Sequence, residues 1–138
     1  MRENLHAELM RRSLEGPFGR LLDLEAVEVT PGRAVVRMQV RPELVNIFGS
    51  THGGALFSLI DEAFQLACNS HGIMAVALNV SITYVAVASP GAILEAVAQE
   101  AHKTRRTASY CCEIREVGDG KLIATAQALA YRTGKEIS

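Results

Sequence analysis

The stretch His52-Gly53-Gly54-Ala55-Leu56-Phe57-Ser58-Leu59-Ile60-Asp61-Glu62-Ala63-Phe64-Gln65-Leu66-Ala67-Cys68-Asn69-Ser70 decides the fold. Its apolar residues recur around almost the whole circumference of a helix, so it predicts a long helix over 53–70 that its surroundings must bury. Asn69-Ser70-His71-Gly72 supplies the stop. In the middle stands Asp61. A carboxylate among apolar groups costs on the order of several kcal/mol unless hydrogen bonds or pairing offset it. At the other end, the first turn offers free backbone N–H groups and a positive dipole, with two glycines that let a substrate oxygen come close.

Helical geometry sorts the neighbours of Asp61. On a 100° step, Gly54, Phe57, Ser58, Phe64, Gln65 and Cys68 lie within about 60° of it, and Ala55, Leu56, Leu59, Ala63 and Leu66 take the opposite side. The Asp61 side is mixed and small-polar while the back is pure core, a split that favours a pocket. His52 and Asp61 are separated by roughly 13.5 Å along the axis. They cannot meet within one chain. A reaction that uses both requires a two-fold pair of chains, with two sites per dimer.

Taken alone, each residue also has a plainer reading. Asp61 could be a structural carboxylate bonded to backbone, and His52-Gly53-Gly54 a turn before a helix. Asn46 could be an ordinary loop residue. Ser58 and Gln65 have no histidine within a helical turn and read as polar lining. Cys68, Cys111 and Cys112 read as small buried hydrophobes. His71 sits where a cation suits the C-terminal end of the helix. The four histidines show no metal-ligand spacing, so no metal and no cofactor is expected. The run His102-Lys103-Thr104-Arg105-Arg106-Thr107 is either a solvated strand end or a docking place for phosphates.

Composition sets the outer bounds. The 138 residues are 49% hydrophobic and 21% charged with a net charge of −1, so no global field recruits nucleic acid. Tryptophan is absent and aromatics are few, unlike a nucleic-acid stacking surface. The apolar runs are too short and too often interrupted to span a bilayer, so no membrane partner is expected. Three cysteines make no disulfide framework, and Met1–His6 lacks the apolar core of a secretion signal. Both predict a cytoplasmic protein.

Around the central helix the chain reads as one domain over 1–138. A short helix is expected over 3–15, ended by Gly16-Pro17-Phe18-Gly19. A hairpin follows with strands at 22–30 and 33–41, then an irregular loop from Pro42 through Asn46 to His52. Beyond the helix come strands at 74–87, 93–102, 108–117 and 121–131, the last two joined through Gly118-Asp119-Gly120. The order αββαββββ predicts an α+β fold: one long helix on the concave face of a mostly antiparallel sheet of five or six strands. A helix apolar nearly all round needs more cover than one small sheet gives, which predicts association.

Asn46-x5-His52-Gly53-Gly54-x6-Asp61, with Ala67-Cys68-Asn69-Ser70 and Ser81-Ile82-Thr83-Tyr84, resembles the hotdog-fold acyl-CoA thioesterases, nearest the branch of phenylacetic acid degradation. The resemblance spans residues 20–132. It implies that Asp61 acts as general base or nucleophile and that the Gly53 N–H polarises the thioester carbonyl. It further implies that His52 orders the loop and holds carbonyl or water, and that Asn46 orients the attacking water or the carbonyl. An acyl-CoA substrate is implied, with the acyl group along Gly54, Phe57, Ser58, Phe64 and Gln65. Lys103, Arg105 and Arg106 are the candidates for the CoA phosphates. Homodimers pairing into homotetramers, with the site across the subunit interface, are implied as well. The chain departs from relatives at Val85-Ala86-Val87-Ala88 and at Ala77, with the core motif intact. Two other activities share the fold: an enoyl-CoA hydratase, which needs a differently spaced Asp/His pair, and a non-catalytic acyl-CoA-binding module, which has little use for an unpaired carboxylate.

Overall fold

The computed structural model describes residues 4–138. Its elements are helices α1 (Leu5–Glu15), α2 (Pro17–Leu21) and α3 (Gly53–Asn69), and strands β1 (Glu25–Thr30), β2 (Arg33–Gln39), β3 (Ile73–Tyr84), β4 (Ile93–Lys103), β5 (Thr107–Glu116) and β6 (Leu122–Glu136). The strands form one sheet of order β1-β2-β4-β5-β6-β3, and every neighbouring pair is antiparallel. With α3 packed across it, this is the α+β hotdog architecture. No helix of the described residues is long and apolar enough to cross a membrane.

The sheet offers α3 a floor of small side chains. Ala34 of β2, Ala96 and Ala98 of β4, Ala108 of β5, and Ala124, Ala126, Ala128 and Ala130 of β6 are all buried in one cluster with Leu59, Ile60, Ala63 and Ala67 of α3. Alternation does the sorting, since every second residue of a strand meets the helix. Each buried Leu or Ile contributes about 1.5–3 kcal/mol from apolar surface removed from water. Phe64 joins this core and meets the Tyr110 ring edge-on, centroids 5.5 Å apart.

The two edges of the sheet differ. β1 is six residues long and packs against α1. β3 has 12 residues, and nothing among the described residues pairs with its outer side. A bulge between Ala77 and Asn79 resets its phase, so that Ala77, Val80, Ile82 and Tyr84 stand opposite the buried Ala130, Ala128, Ala126 and Ala124. Leu78, at the bulge, is exposed.

Three expectations need correction. Pro17 begins the short helix α2 instead of only ending α1, because proline suits the first helical position. β6 runs on to Glu136, since β3 supplies hydrogen-bonding partners beyond Tyr131. His71 does not cap α3; its Nε2 lies 2.8 Å from Glu100 Oε1. The expected helix start at residue 3 lies outside the described residues; α1 begins at Leu5.

Candidate active site

The first turn of α3 is built by close approach. His52 is the N-cap, and its Nδ1 accepts the Gly54 N–H at 2.8 Å. Its carbonyl accepts from the N–H groups of Ala55 and Leu56 at 3.0 and 3.2 Å. The Gly53 N–H is left without an acceptor among the described residues. With Nδ1 accepting, a neutral His52 carries its proton on Nε2 and presents a donor outward. A Cβ at Gly54 would lie 3.0 Å from His52 Nδ1, and one at Gly53 would lie 3.1 Å from Tyr84 Cζ. At either position a side chain would press on its neighbour, which would have to give by a few tenths of an ångström. Tyr84 completes the turn by donating its hydroxyl to the Gly53 carbonyl at 3.1 Å.

The loop before the helix is ordered by Asn46. Its Oδ1 accepts from Phe48 N at 2.9 Å and Ser50 N at 3.1 Å, an Asx turn. The backbone closes the same loop through Asn46 N to Ser50 O at 2.7 Å and His52 N to Leu44 O at 2.7 Å. The side-chain oxygen of Asn46 is thus committed to the loop, and its amide Nδ2 is the group left to offer. Asn46, Phe48, Thr51, Gly53, Leu56 and Tyr84 border a groove of about 380 Å³ at this end of the helix.

Asp61 belongs to a different groove, of about 690 Å³, where Phe18, Asp61, Glu62, Gln65, Met74 and Ile137 are among the lining residues. The carboxylate is half-buried and has no hydrogen bond or ion pair among the described residues. Burial pushes its pKa up. Glu62 is also raised: burial pushes it up, the Ser13 hydroxyl that donates to Oε2 pulls it down, and the charge of Asp61 adds to the rise. Burial pushes the Cys68 thiol up to about 12, so it stays neutral at physiological pH.

The open stripe of α3 is formed by Gly54, Phe57, Ser58, Asp61, Glu62, Gln65 and Asn69. Its centre is turned toward Glu62 from the direction of Asp61 itself. Phe64 and Cys68, expected on the Asp61 side, therefore fall in the core. Phe57 and Ser58 are half-buried, Gly54 and Gln65 are exposed, and Ser58 donates to the Gly54 carbonyl at 2.8 Å. Glu62, Ser13, Phe18 and Met74 border the groove without having been singled out in the sequence. The i, i+4 series 54-58-62 was the available signal for Glu62.

Lys103, Arg105 and Arg106 are exposed on the β4–β5 hairpin. Arg132 of β6 ties the hairpin down, donating to the carbonyls of Thr104 and Arg105 at 3.1 and 3.3 Å. Thr107 pairs with Tyr131, and Tyr131 with Val76. The basic hairpin accordingly stands at the end of the sheet where β3 starts, the end of the Asp61 groove. The Gly53 turn is at the other end, under Tyr84. One chain thus separates the Asp61 carboxylate from the free Gly53 N–H, as their spacing along α3 requires.

Residues 48–123 match the family model of the thioesterase superfamily. A putative esterase of Archaeoglobus fulgidus is 43% identical over 116 residues, 84% of this chain and 75% of that protein. The acyl-coenzyme A thioesterase PaaI of Escherichia coli is 36% identical over 119 residues, 86% of this chain and 84% of its own. The solved structure of that protein, described as from the phenylacetic acid degradation operon, superposes with a TM-score of 0.88 at 32% identity, over 99% of this chain and all of the other. The Streptococcus mutans protein smu.793, solved bound to acetyl CoA, superposes with a TM-score of 0.78 at 27% identity, over 83% of this chain and 91% of its own. The chain belongs to the thioesterase superfamily of hotdog-fold thioester hydrolases.

Proposed function

We propose that this protein hydrolyses an acyl- or arylacyl-CoA thioester to the free acid and CoA, with Asp61 and Gly53 contributed by different subunits of a dimer. The observation that carries the reading is the half-buried Asp61, unpaired among the described residues and raised in pKa by burial, in a groove of mixed apolar and polar walls. A carboxylate kept without a partner is a poor structural choice and a good base.

The open edge of β3 supports the assembly. Antiparallel pairing of two β3 strands about their midpoint sets Ile73 opposite the partner subunit's Tyr84. Tyr84 holds the start of α3, and Met74 and Val76 line the Asp61 groove. The pairing therefore carries the partner subunit's Gly53 to the Asp61 groove, twice per dimer. The exposed Ile47 and Phe48 travel with that loop and roof the groove. Two such dimers form the homotetramer.

The thioester carbonyl oxygen accepts from the Gly53 N–H at the positive end of the helix, a donor of a kind whose removal typically costs about 10²–10³ in rate. Asp61 takes a proton from water, whose oxygen attacks the carbonyl carbon; the C–S bond breaks and the proton returns to the CoA thiolate. General-base assistance of this kind is worth roughly 10²–10⁴. Attack by Asp61 itself, through an anhydride that water then opens, uses the same geometry. His52 Nε2–H and the Asn46 amide orient carbonyl and water. The acyl group runs along Gly54, Phe57, Ser58 and Gln65 toward Phe18; Phe64, enclosed by the core, takes no part. Lys103, Arg105 and Arg106 hold the CoA phosphates, and their place at the Asp61 end of the sheet suits that role. The kinship with PaaI favours an arylacetyl group as the acid.

The test is CoA release, followed with a thiol reagent, across phenylacetyl-, hydroxyphenylacetyl-, short- and long-chain acyl-CoAs. Turnover that collapses in Asp61→Asn, with the fold and the assembly intact, upholds the reading. Saturable acyl-CoA binding without turnover by the wild type would make the protein a binding module instead.

A further inference from the structure

His52 supplies acceptors for three of the four N–H groups that open α3: its Nδ1 takes Gly54, and its carbonyl takes Ala55 and Leu56. Among the described residues, the hydrogen bonds of His52, Gly53 and Gly54 stay within the segment 44–58, with one exception. The exception is Tyr84, 31 positions away, whose hydroxyl donates to the Gly53 carbonyl at 3.1 Å. A carbonyl oxygen has two lone pairs, so it can accept this hydroxyl beside a helical N–H. The local bonds give the turn its shape. Tyr84 ties that shape to the sheet.

Tyr84 is itself firmly anchored. It is the last residue of β3 and stands opposite the fully buried Ala124 of β6. The chain just beyond it is held as well, the N–H groups of Val85 and Ala86 donating to the Ile123 carbonyl at 2.8 and 3.2 Å. The ring tip rests on Gly53, where an added Cβ would lie 3.1 Å from Cζ and 3.2 Å from the hydroxyl oxygen. Yet Tyr84 is 51% exposed, so core packing does not account for it. Phenylalanine would cover the same surface; only the hydroxyl reaches the carbonyl.

We infer that Tyr84 is a positioning residue of thioester cleavage: it fixes the Gly53 N–H against β3, and thereby against Asp61 of the partner subunit. The inference rests on the Gly53 N–H as oxyanion donor and on the pairing of two β3 strands. Met74, Ala75 and Val76 at the other end of β3 line the Asp61 groove. In the antiparallel pair, the register of the two strands then sets the distance from donor to carboxylate. Both peptide planes flanking the Gly53 Cα are held, one through the His52 carbonyl and the other through Tyr84 and His52 Nδ1. Glycine has the freest backbone of any residue, so slack would otherwise collect there. Misplacing a reacting group by about 1 Å can cost about 10²-fold in rate.

The experiment compares the whole wild-type protein with Tyr84→Phe, which keeps the half-exposed ring and deletes the hydroxyl, the fold being checked by circular dichroism. With the acyl-CoA that the wild type cleaves fastest, kcat is expected to fall about tenfold while KM stays within about twofold. The second readout is the thioester carbonyl stretch of the same acyl-CoA bound to Asp61→Asn, followed by isotope-edited infrared spectroscopy. Donation from the Gly53 N–H lowers that stretch below its value in free acyl-CoA. Adding Gly53→Pro should return the band to the free position, and adding Tyr84→Phe should move it part of the way. A purely structural Tyr84 would lower Tm and leave kcat or the band where it was, and either result overturns the inference. A band that Gly53→Pro does not move overturns the underlying reading of the donor instead, so the two failures are told apart.

Discussion

At its first turn α3 closes nearly all its hydrogen bonds within the chain: His52 caps Gly54, Tyr84 holds the Gly53 carbonyl, and Asn46 ties the loop that leads in. Two turns later, among the described residues, the same helix leaves Asp61 with no partner and Glu62 with one. The first region is a rigid mould with a single N–H left over. The second is a reactive patch that the fold tolerates without rewarding. Preorganised donors serve a site by not moving, whereas a base serves it by being held in an unfavourable environment. Activity should therefore be fragile in both regions, and stability in the first alone.

The largest effect is expected from Asp61→Asn, with kcat/KM falling by about 10²–10⁴. The same change should raise Tm near neutral pH, by about 1–3 °C, since the carboxylate is half-exposed and its penalty is partly screened. The sign follows from linkage. A carboxyl raised in the folded state binds its proton more readily there than in the unfolded chain, so stability falls as pH climbs through the raised value. The advantage of Asn at 61 should then vanish as pH drops below it, which thermal melts across pH will read. A mutant that is both inactive and less stable breaks the contrast.

Gly53→Pro probes the mould. Proline suits the first helical position, and His52, with ψ at 134°, is already in the conformation that a following proline prefers. The substitution deletes the Gly53 N–H, which no acceptor among the described residues uses. Activity should fall by about 10²–10³ with helix content retained by circular dichroism; the Tyr84 ring tip must shift by a few tenths of an ångström to admit the new Cβ. His52→Ala should behave in the opposite sense to Asp61→Asn. Losing the cap costs about 1 kcal/mol, or about 2–4 °C in Tm, with a smaller loss of rate, measured by melting and by CoA release.

The smallest effect belongs to the far end of α3. Glu100 is pushed up by burial, but the hydrogen bonds from His71 at 2.8 Å and from Tyr110 at 3.0 Å, with the charges of His71 and Lys103, prevail and hold its carboxyl below the ordinary value. Its contribution is present above the unfolded-state pKa and is lost as pH falls through the lower, folded value. Glu100→Gln should flatten the acid limb of stability over that window while leaving turnover within about twofold.

Periodicity carried most of this architecture. The apolar wrap of 53–69 and the alternation of Val36, Met38 and Val40 can be satisfied by only one packing, so α3 and the hairpins were legible. Pro17 was not, because one residue both stops a helix and starts the next. The extension of β6 to Glu136 depends on β3, a partner distant in sequence, and no local pattern announces it. Within the candidate site, Asp61 and His52-Gly53-Gly54 stood out from the residues themselves, while Asn46 entered only through the family resemblance of the Asn…His-Gly-Gly…Asp pattern. The face of Phe64 was misjudged because the stripe was centred on Asp61, whereas the sheet, through Tyr110, fixes the rotation of the helix. Glu62 was overlooked for a related reason: its meaning comes from Ser13, 49 positions away in sequence.

The alanine floor beneath α3 has a consequence for how such a chain changes over generations. Side chains this small draw the helix down onto the sheet, and both grooves of the site open at the rim. The residues that keep the molecule folded and the residues that meet a substrate are then largely separate sets. Phe18, Phe48, Met74 and Val87 can vary without disturbing a methylene of the core. A scaffold divided in this way lets selection explore new acids while the folded state stays as it was.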